Sequence, residues 1–206
     1  DLAGDKMAHL GEIYPLPGIL VPHGFVVTAS ATRHFLTTAN IDEINRRLQI
    51  LDPDDLDQLY KTCEEMQEIV TKSPLPPDLE ELLHVHYARL EKATHPGCRV
   101  ALRSSALGED TAGVSFAGLY RTVLDVDRET ISNAYKEVIA SKYGPKAISY
   151  RRKRGYRHED IEMCVGCLVM VDALVSGVTY SRDPGEEKSE VIRINAASGI
   201  AKGVVD

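Results

Sequence analysis

Residues Cys98–Asp110 read CRVALRSSALGED, a short apolar run followed by an arginine, two serines and acidic residues. We expect Arg99 to Leu102 to form a buried strand, with Arg103 leaving its end. An arginine held in this way suits an anion, because its planar guanidinium donates two parallel hydrogen bonds and keeps its charge. The hydroxyls and amides of Ser104 and Ser105 could join it. A structural arginine paired with the acids that follow is equally compatible with the residues.

The composition is typical of a globular protein that binds no nucleic acid. The chain has 206 residues, of which 43% are hydrophobic and 27% charged. Lys and Arg number 24 against 31 Asp and Glu, which gives a net charge of −7. Nucleic-acid binders are usually basic, so nucleic acid is an improbable partner.

The sequence predicts a cytosolic protein. Its longest apolar run, Cys164–Val171, is far shorter than the ~20 residues that cross a membrane. The start of the chain has no basic stretch followed by an apolar one, so we expect no secretory leader. Cys164 and Cys167 form a lone CxxC pair. We interpret them as small apolar residues of a buried strand; the alternative is a metal or redox site.

The hydrophobic pattern predicts a mixed α+β fold with mainly antiparallel strands in its second half. We expect helices over 5–13, over 42–72 with a break near 52–53, over 78–92 and over 129–143, and strands over 24–28, 99–102, 120–126, 163–171, 176–180 and 191–195. Near Gly97 the hydrophobic pattern changes from mainly helix-like to more strand-like, which predicts a division into an α-rich lobe, 1–97, and a β-rich lobe, 98–206.

Three further stretches have two interpretations each. The small-residue loop 112–122 could bring backbone amides close to phosphates or be an ordinary tight turn. Residues 168–184 predict a core hairpin whose first strand could also hold a purine edge. The basic cluster 150–158 could bind RNA, but a solvated face or a docking site for an acidic domain is favoured on an acidic protein.

Several collinear motifs together resemble the nucleotide-binding domain of the pyruvate phosphate dikinase and phosphoenolpyruvate synthase family. The resemblance covers nearly the whole chain. It rests on Gly4–Glu12, Val21–Thr28, Val100–Ala106 with Glu109-Asp110, Ser115–Gly118, Ala147–Arg151 and Ser176–Pro184.

The resemblance implies a two-lobed ATP-grasp fold that binds Mg-ATP between its lobes. In the family, ATP phosphorylates a histidine on a separate swivelling domain, and the phosphohistidine then serves pyruvate or another acceptor. Phosphoryl transfer depends on positioning and charge neutralisation. Carried over to this sequence, Lys6 and Arg103 would grip the ATP phosphates, with Arg103 as the catalytic residue. Gly118 would lie in the small-residue loop that covers the phosphates, with Thr122 close by, and Met170 and Val171 would line the adenine pocket.

The sequence departs from the family pattern at several places. Asp5 and Met7 replace the glycines beside Lys6, and Leu168 replaces a glutamine two residues before the hinge methionine. Lys202 stands where the family has a glutamate, and lysine cannot bind a hard cation that takes oxygen ligands, so Mg²⁺ binding stays open.

The end of the sequence predicts that the C-terminal part of the site and the phosphohistidine and pyruvate domains lie elsewhere, so we expect no turnover by this chain alone. A non-catalytic nucleotide-binding or regulatory module and a protein-interaction domain are the alternatives.

Overall fold

A computed structural model describes residues 2–50, 55–107, 118–157, 160–182 and 191–200, without the side chains of residues 42–44, 47 and 50. The chain divides into two compact units, residues 1–170 and 171–206. The predicted lobes, 1–97 and 98–206, stay a prediction. Strands from both sides of residue 97 pair within the first unit.

The first unit is built on a four-stranded antiparallel sheet. Its strands follow the order β1-β4-β2-β3, and each neighbouring pair is antiparallel, as predicted. β4 is central and buried, which fits its continuous run of small and apolar residues. The strands are β1 Gly24–Val27, β2 Val100–Ala106, β3 Thr122–Val126 and β4 Met163–Val169.

Helices surround this sheet, and those predicted from apolar periodicity are confirmed within a few residues. The helices are α1 Asp5–Ile13, α2 Ala29–Thr38, α3 Ile41–Ile50, α4 Leu56–Lys72, α5 Pro77–Ala93, α6 Ile131–Ala140 and α7 Pro145–Lys153, with a 3-10 turn at Ser141–Tyr143. Asp55 caps α4 by accepting a hydrogen bond from the Gln58 amide at 3.0 Å. Pro77 begins α5, a position where the amide of any residue would have no partner within the helix, so proline loses no hydrogen bond.

The two faces of the sheet have different roles. Side chains alternate between the faces along a strand, and one set, which includes Val100 and Leu102 of β2, joins the main hydrophobic core. Helices α2, α4, α5 and α6 supply the other side of that core. Helix α1 contacts β2 on the opposite face, where Met7 lies against Gly166. The hydrophobic core therefore covers one face of the sheet, and the opposite face carries α1 and polar side chains.

The second unit contains a two-stranded antiparallel sheet, β5 Val175–Tyr180 and β6 Arg193–Ser198. Gly177 is required there, because an added Cβ would overlap the carbonyl oxygen of Asn195 on the paired strand. The predicted hairpin over residues 168–184 is wrong. β4 pairs with β1 and β2, whereas β5 pairs with β6.

The basic cluster, predicted as a solvated face or a docking site, is exposed at Lys153, Arg154 and Arg157 and structural at Arg151 and Arg152. The helix α7 turns Arg151 into the interior, where it is 0% exposed, and burial lowers its pKa. Arg152 donates to the Leu48 carbonyl oxygen, and Arg157 makes a bidentate pair with Asp160 at 2.7 and 3.0 Å. Residues 158 and 159 of the cluster lie outside the described part.

The cysteines are core residues. All four are buried and free, and burial raises the pKa of Cys63 to about 11 and that of Cys167 to about 12. Cys164 and Cys167 stand three positions apart on β4, so they project to opposite faces and do not form a chelating pair. None of the helices within the described residues is long and apolar enough to cross a membrane.

Candidate nucleotide-binding site

The first turn of α1 is held on β2 by a hydrogen bond between two distant motifs. The amide of Met7 donates to the Ser105 hydroxyl at 3.2 Å, although Gly4 at the N-cap has no side chain to cap the helix. Ser105 therefore satisfies one of the amides that a helix start leaves without an intrahelical partner. Gly4 has φ +72°, and an added Cβ would stand 2.7 Å from the Ser105 carbonyl carbon. The contact requires glycine.

Arg103 lies in a row of paired residues that runs across the sheet. Val26 pairs with Gly166, Gly166 with Arg103, and Arg103 with Thr122. Directly paired residues of antiparallel strands project from the same face. Met7 occupies this face over Gly166, where an added Cβ would stand 3.0 Å from both Cγ and Cε of Met7. The side chain of Arg103 thus rises beside the first turn of α1.

Lys6 belongs to that same first turn. It precedes Met7, whose amide bonds Ser105, and Ser105 is two residues beyond Arg103 on the same face of β2. Lys6 is half-buried. The fold therefore brings the predicted lysine motif and the predicted arginine motif together on one face of one sheet.

Two expectations about the arginine motif are wrong. The strand does not end at Leu102 but continues to Ala106, so Arg103 projects from its middle. Ser104 and Ser105 do not join Arg103 around an anion: both are buried, Ser104 alternates to the core face, and Ser105 caps α1. Among the described residues no carboxylate pairs with Arg103. The acids at positions 109 and 110 lie outside the described residues.

The predicted phosphate-covering residues lie at the start of β3. Thr122 is exposed and directly opposite Arg103. Gly118 has φ +70°, with open space where a Cβ would be, so the chain makes a left-handed turn just before the strand. The rest of the small-residue loop, 108–117, lies outside the described part. Thr122 is therefore beside Arg103, and Gly118 leads into that position.

The predicted hinge residue Met170 lies at the other end of the sheet from Arg103. Its amide donates to the Arg99 carbonyl at 2.8 Å, and its sulfur accepts from the Asp125 amide at 3.0 Å. Arg99 and Arg103 are about 13 Å apart along an extended strand. Val171, in the second unit, is 61% exposed.

Leu168, which replaces the family glutamine, has apolar surroundings. It pairs with Gly24 and Ala101 on the two neighbouring strands and is half-buried. It lies on the face of Gly166 and Arg103, because residues two apart on a strand share a face. A leucine there offers no hydrogen bond to a ligand.

Sequence reasoning missed the residues that hold the start of β3. The amide of Arg121 donates to the Ser141 hydroxyl at 3.0 Å, and the Arg121 guanidinium pairs with Glu137 at 3.1 Å. Ser141 and Glu137 come at the end of an ordinary amphipathic helix, and nothing in their local pattern distinguishes them. Only the packing of α6 beside β3 reveals them.

The comparisons with known proteins agree with this geometry. The family described as "Pyruvate phosphate dikinase, AMP/ATP-binding domain" matches residues 1–206. The phosphoenolpyruvate synthase of Aquifex aeolicus is 38% identical over 99% of this chain and 25% of its own length. That of Escherichia coli is 35% identical over 100% and 27%, and a probable phosphoenolpyruvate synthase of Methanocaldococcus jannaschii is 34% identical over 100% and 17%.

The chain spans about a quarter of the length of the Aquifex and Escherichia relatives, which are multidomain proteins in which this region is one part. Its α+β fold and the full-length family match agree, and the chain belongs to the pyruvate phosphate dikinase AMP/ATP-binding domain family.

Proposed function

We propose that this chain binds ATP on the α1 face of its sheet and serves as the ATP-binding portion of a dikinase-type phosphotransferase. One observation carries the proposal: the hydrogen bond from Met7 to Ser105 seats the lysine motif beside Arg103. The match to an AMP/ATP-binding domain family supports it. The relatives named phosphoenolpyruvate synthase make pyruvate the first acceptor to consider for the longer protein.

Each predicted residue has a defined task in this proposal. Lys6 and Arg103 bind the phosphates, where fixed positive charge offsets the charge that phosphoryl transfer redistributes. Thr122 offers a hydroxyl beside Arg103, and Gly118 lets the backbone approach the phosphates. Met170 and Val171 line the adenine pocket. A phosphoryl group then passes from ATP to a histidine on a separate domain of the longer protein, from which pyruvate or a related acceptor receives it.

Mg²⁺ belongs to the proposal as the counterion of ATP, without an assigned ligand. Among the described residues no group of three His, Cys, Asp or Glu side chains could hold a metal ion. Lys202, the substitution that bears on the metal, lies outside the described residues. Titrations of the chain with ATP, with and without Mg²⁺, therefore decide whether ATP binding requires the metal.

The test is isothermal titration of the purified chain with ATP, comparing wild type with Arg103→Ala. A guanidinium that makes charge-assisted hydrogen bonds contributes about 1.5–3 kcal/mol, so we expect about 10- to 100-fold weaker binding in the variant. Arg89→Ala is the matched control, because Arg89 is exposed on α5, whose buried residues join the core on the other face of the sheet. Equal ATP affinity in wild type and Arg103→Ala would refute the assignment of Arg103.

A non-catalytic nucleotide-binding module is the second candidate, and Leu168 favours it. Its leucine side chain cannot make the hydrogen bond that the family glutamine offers at this position. The two candidates differ in phosphoryl transfer rather than in ATP binding. Transfer of labelled phosphate from ATP to the histidine of the longer protein supports the first, whereas ATP binding without transfer supports the second.

A further inference from the structure

The segment from Gly118 to Thr122 is attached to the end of α6 at one residue, Arg121. The Ser141 hydroxyl accepts from the Arg121 amide at 3.0 Å and donates to the Val138 carbonyl at 2.6 Å. Both functions of the hydroxyl are therefore used, and its orientation is fixed. Glu137, one turn earlier, pairs with the Arg121 guanidinium at 3.1 Å. The main chain of Arg121 is thus bound to the turn that follows α6, and its side chain is bound to α6 itself.

This attachment acts on the residue that faces Arg103. Thr122 follows Arg121 directly and pairs with Arg103 across β2 and β3. The pairing between these strands shifts register between Val100 and Leu102. At the Arg103 end of β3, the regular ladder of hydrogen bonds therefore extends over a few residues and gives limited support. Residues 118–121 also line an open depression of 410 Å³ together with Ser141. The segment depends on specific bonds as well as on packing.

The base of the attachment is rigid. Ser141 begins the 3-10 turn that follows α6, and the carbonyl oxygen of the next residue, Lys142, accepts a hydrogen bond from Arg151. Arg151 is 0% exposed. A turn tied to a fully buried side chain cannot move without disturbing the core, so Ser141 presents its hydroxyl from a fixed point.

We propose that Ser141 is a positioning residue for the nucleotide, which holds the main chain at Arg121 so that Gly118 and Thr122 face the phosphates bound by Arg103. The inference rests on the proposed function. Ser141 touches no nucleotide; it acts through Arg121. Glu137 supports it by holding the Arg121 side chain on the same helix.

The experiment compares Ser141→Ala with Ser141→Thr and with Ser132→Ala in the purified chain. Threonine keeps the hydroxyl. Ser132 is the matched control, because it lies on α6, the helix that leads into Ser141, and its hydroxyl has no hydrogen-bond partner among the described residues. The readouts are ATP affinity by titration, Tm, and amide hydrogen exchange at Arg121 without nucleotide.

We expect Ser141→Ala to bind ATP about fivefold more weakly, because a hydrogen bond of ordinary strength is lost. The Arg121 amide should exchange at least about tenfold faster, because its acceptor is gone. Ser141→Thr and Ser132→Ala should stay within about twofold of wild type in ATP affinity. A purely structural serine would lower Tm and speed exchange at Arg121 but leave ATP affinity unchanged.

Two outcomes count against the inference and can be told apart. Wild-type binding that is lost in Arg103→Ala but unchanged in Ser141→Ala overturns the role of Ser141 alone. A folded wild-type chain that binds no ATP overturns the proposed function and, with it, the nucleotide role of Ser141.

Discussion

Replacing Gly4 by alanine tests directly how α1 is seated on β2. Gly4 has φ +72°, and an added Cβ would stand 2.7 Å from the Ser105 carbonyl carbon. The Ser105 carbonyl oxygen and Oγ would lie nearer still, so reaching 3.4 Å, where ordinary contact begins, requires a shift of more than about 0.7 Å. The carbonyl atoms belong to the backbone of a buried strand. The shift therefore falls on the start of α1, which carries Lys6.

The expected cost has two parts. At φ +72° and ψ 160°, Gly4 occupies a backbone region confined essentially to glycine, which costs an alanine about 1–3 kcal/mol, and forcing an extra methyl into a packed contact costs about 1–3 kcal/mol. We expect Gly4→Ala to lower the free energy of unfolding by about 3 kcal/mol. We also expect about tenfold weaker ATP binding, because Lys6 moves away from the phosphates by a distance that weakens a charge-assisted hydrogen bond.

Two other glycines separate these effects. Gly18 also has a positive φ, +82°, but an added Cβ meets nothing within 4 Å, so Gly18→Ala should show the backbone cost alone, about 1–2 kcal/mol. Gly11 lies within α1, and an added Cβ there also meets nothing within 4 Å. Gly11→Ala should raise stability by up to about 1 kcal/mol, since alanine is the better helix former.

Urea denaturation gives the free energies of unfolding, and titration gives the ATP affinities. The order expected for stability is Gly11→Ala, wild type, Gly18→Ala and then Gly4→Ala, and only Gly4→Ala should lose affinity. If Gly4→Ala is no less stable than Gly18→Ala and binds ATP like wild type, α1 does not lie against Ser105 as described and the reasoning fails.

Two further predictions concern groups outside the site. Because burial raises the pKa of Cys63 to about 11 and that of Cys167 to about 12, neither thiol should react with iodoacetamide at pH 8 until urea unfolds the chain; rapid alkylation of the native chain, located by mass spectrometry, would contradict their burial. The pKa of Asp127 is lowered from 3.8, chiefly by a hydrogen bond from the Thr130 side chain. The Asp127 carboxylate therefore stabilises the folded state above pH 3.8, and this stabilisation is lost as the pH falls through the lowered pKa. Asp127→Asn should therefore lower Tm at pH 7 and make Tm fall less steeply at acidic pH. If Tm falls equally steeply with pH in the two proteins, Asp127 does not contribute.

Much of the fold could be predicted because apolar periodicity reports burial directly. Helix α4 has Leu59, Cys63, Met66 and Val70 at helical spacing, and these residues form its buried face. β4 is a continuous run of small and apolar residues and is one of the two inner strands of its sheet. Where local pattern and tertiary environment agree, the pattern is sufficient.

The end of β2 could not be predicted, because its last residues have a pattern typical of a loop. Ser104 and Ser105 are common in turns, yet both pair with β4 and both are buried. The polarity of Ser105 is tolerated because its hydroxyl accepts a hydrogen bond from the Met7 amide. A partner 98 positions away in the sequence leaves no local signal.

The same hydrogen bond explains why two short motifs far apart in the sequence act as one site. Lys6 alone is a half-buried lysine on a short helix, and Arg103 alone is an exposed arginine on a strand. The bond between Met7 and Ser105 makes the position of one depend on the other. A shift of α1 therefore moves Lys6 relative to Arg103. Since both residues are proposed to bind the same phosphates, the effects of Gly4→Ala and Arg103→Ala on ATP affinity should be non-additive, as expected for residues that share one contact network.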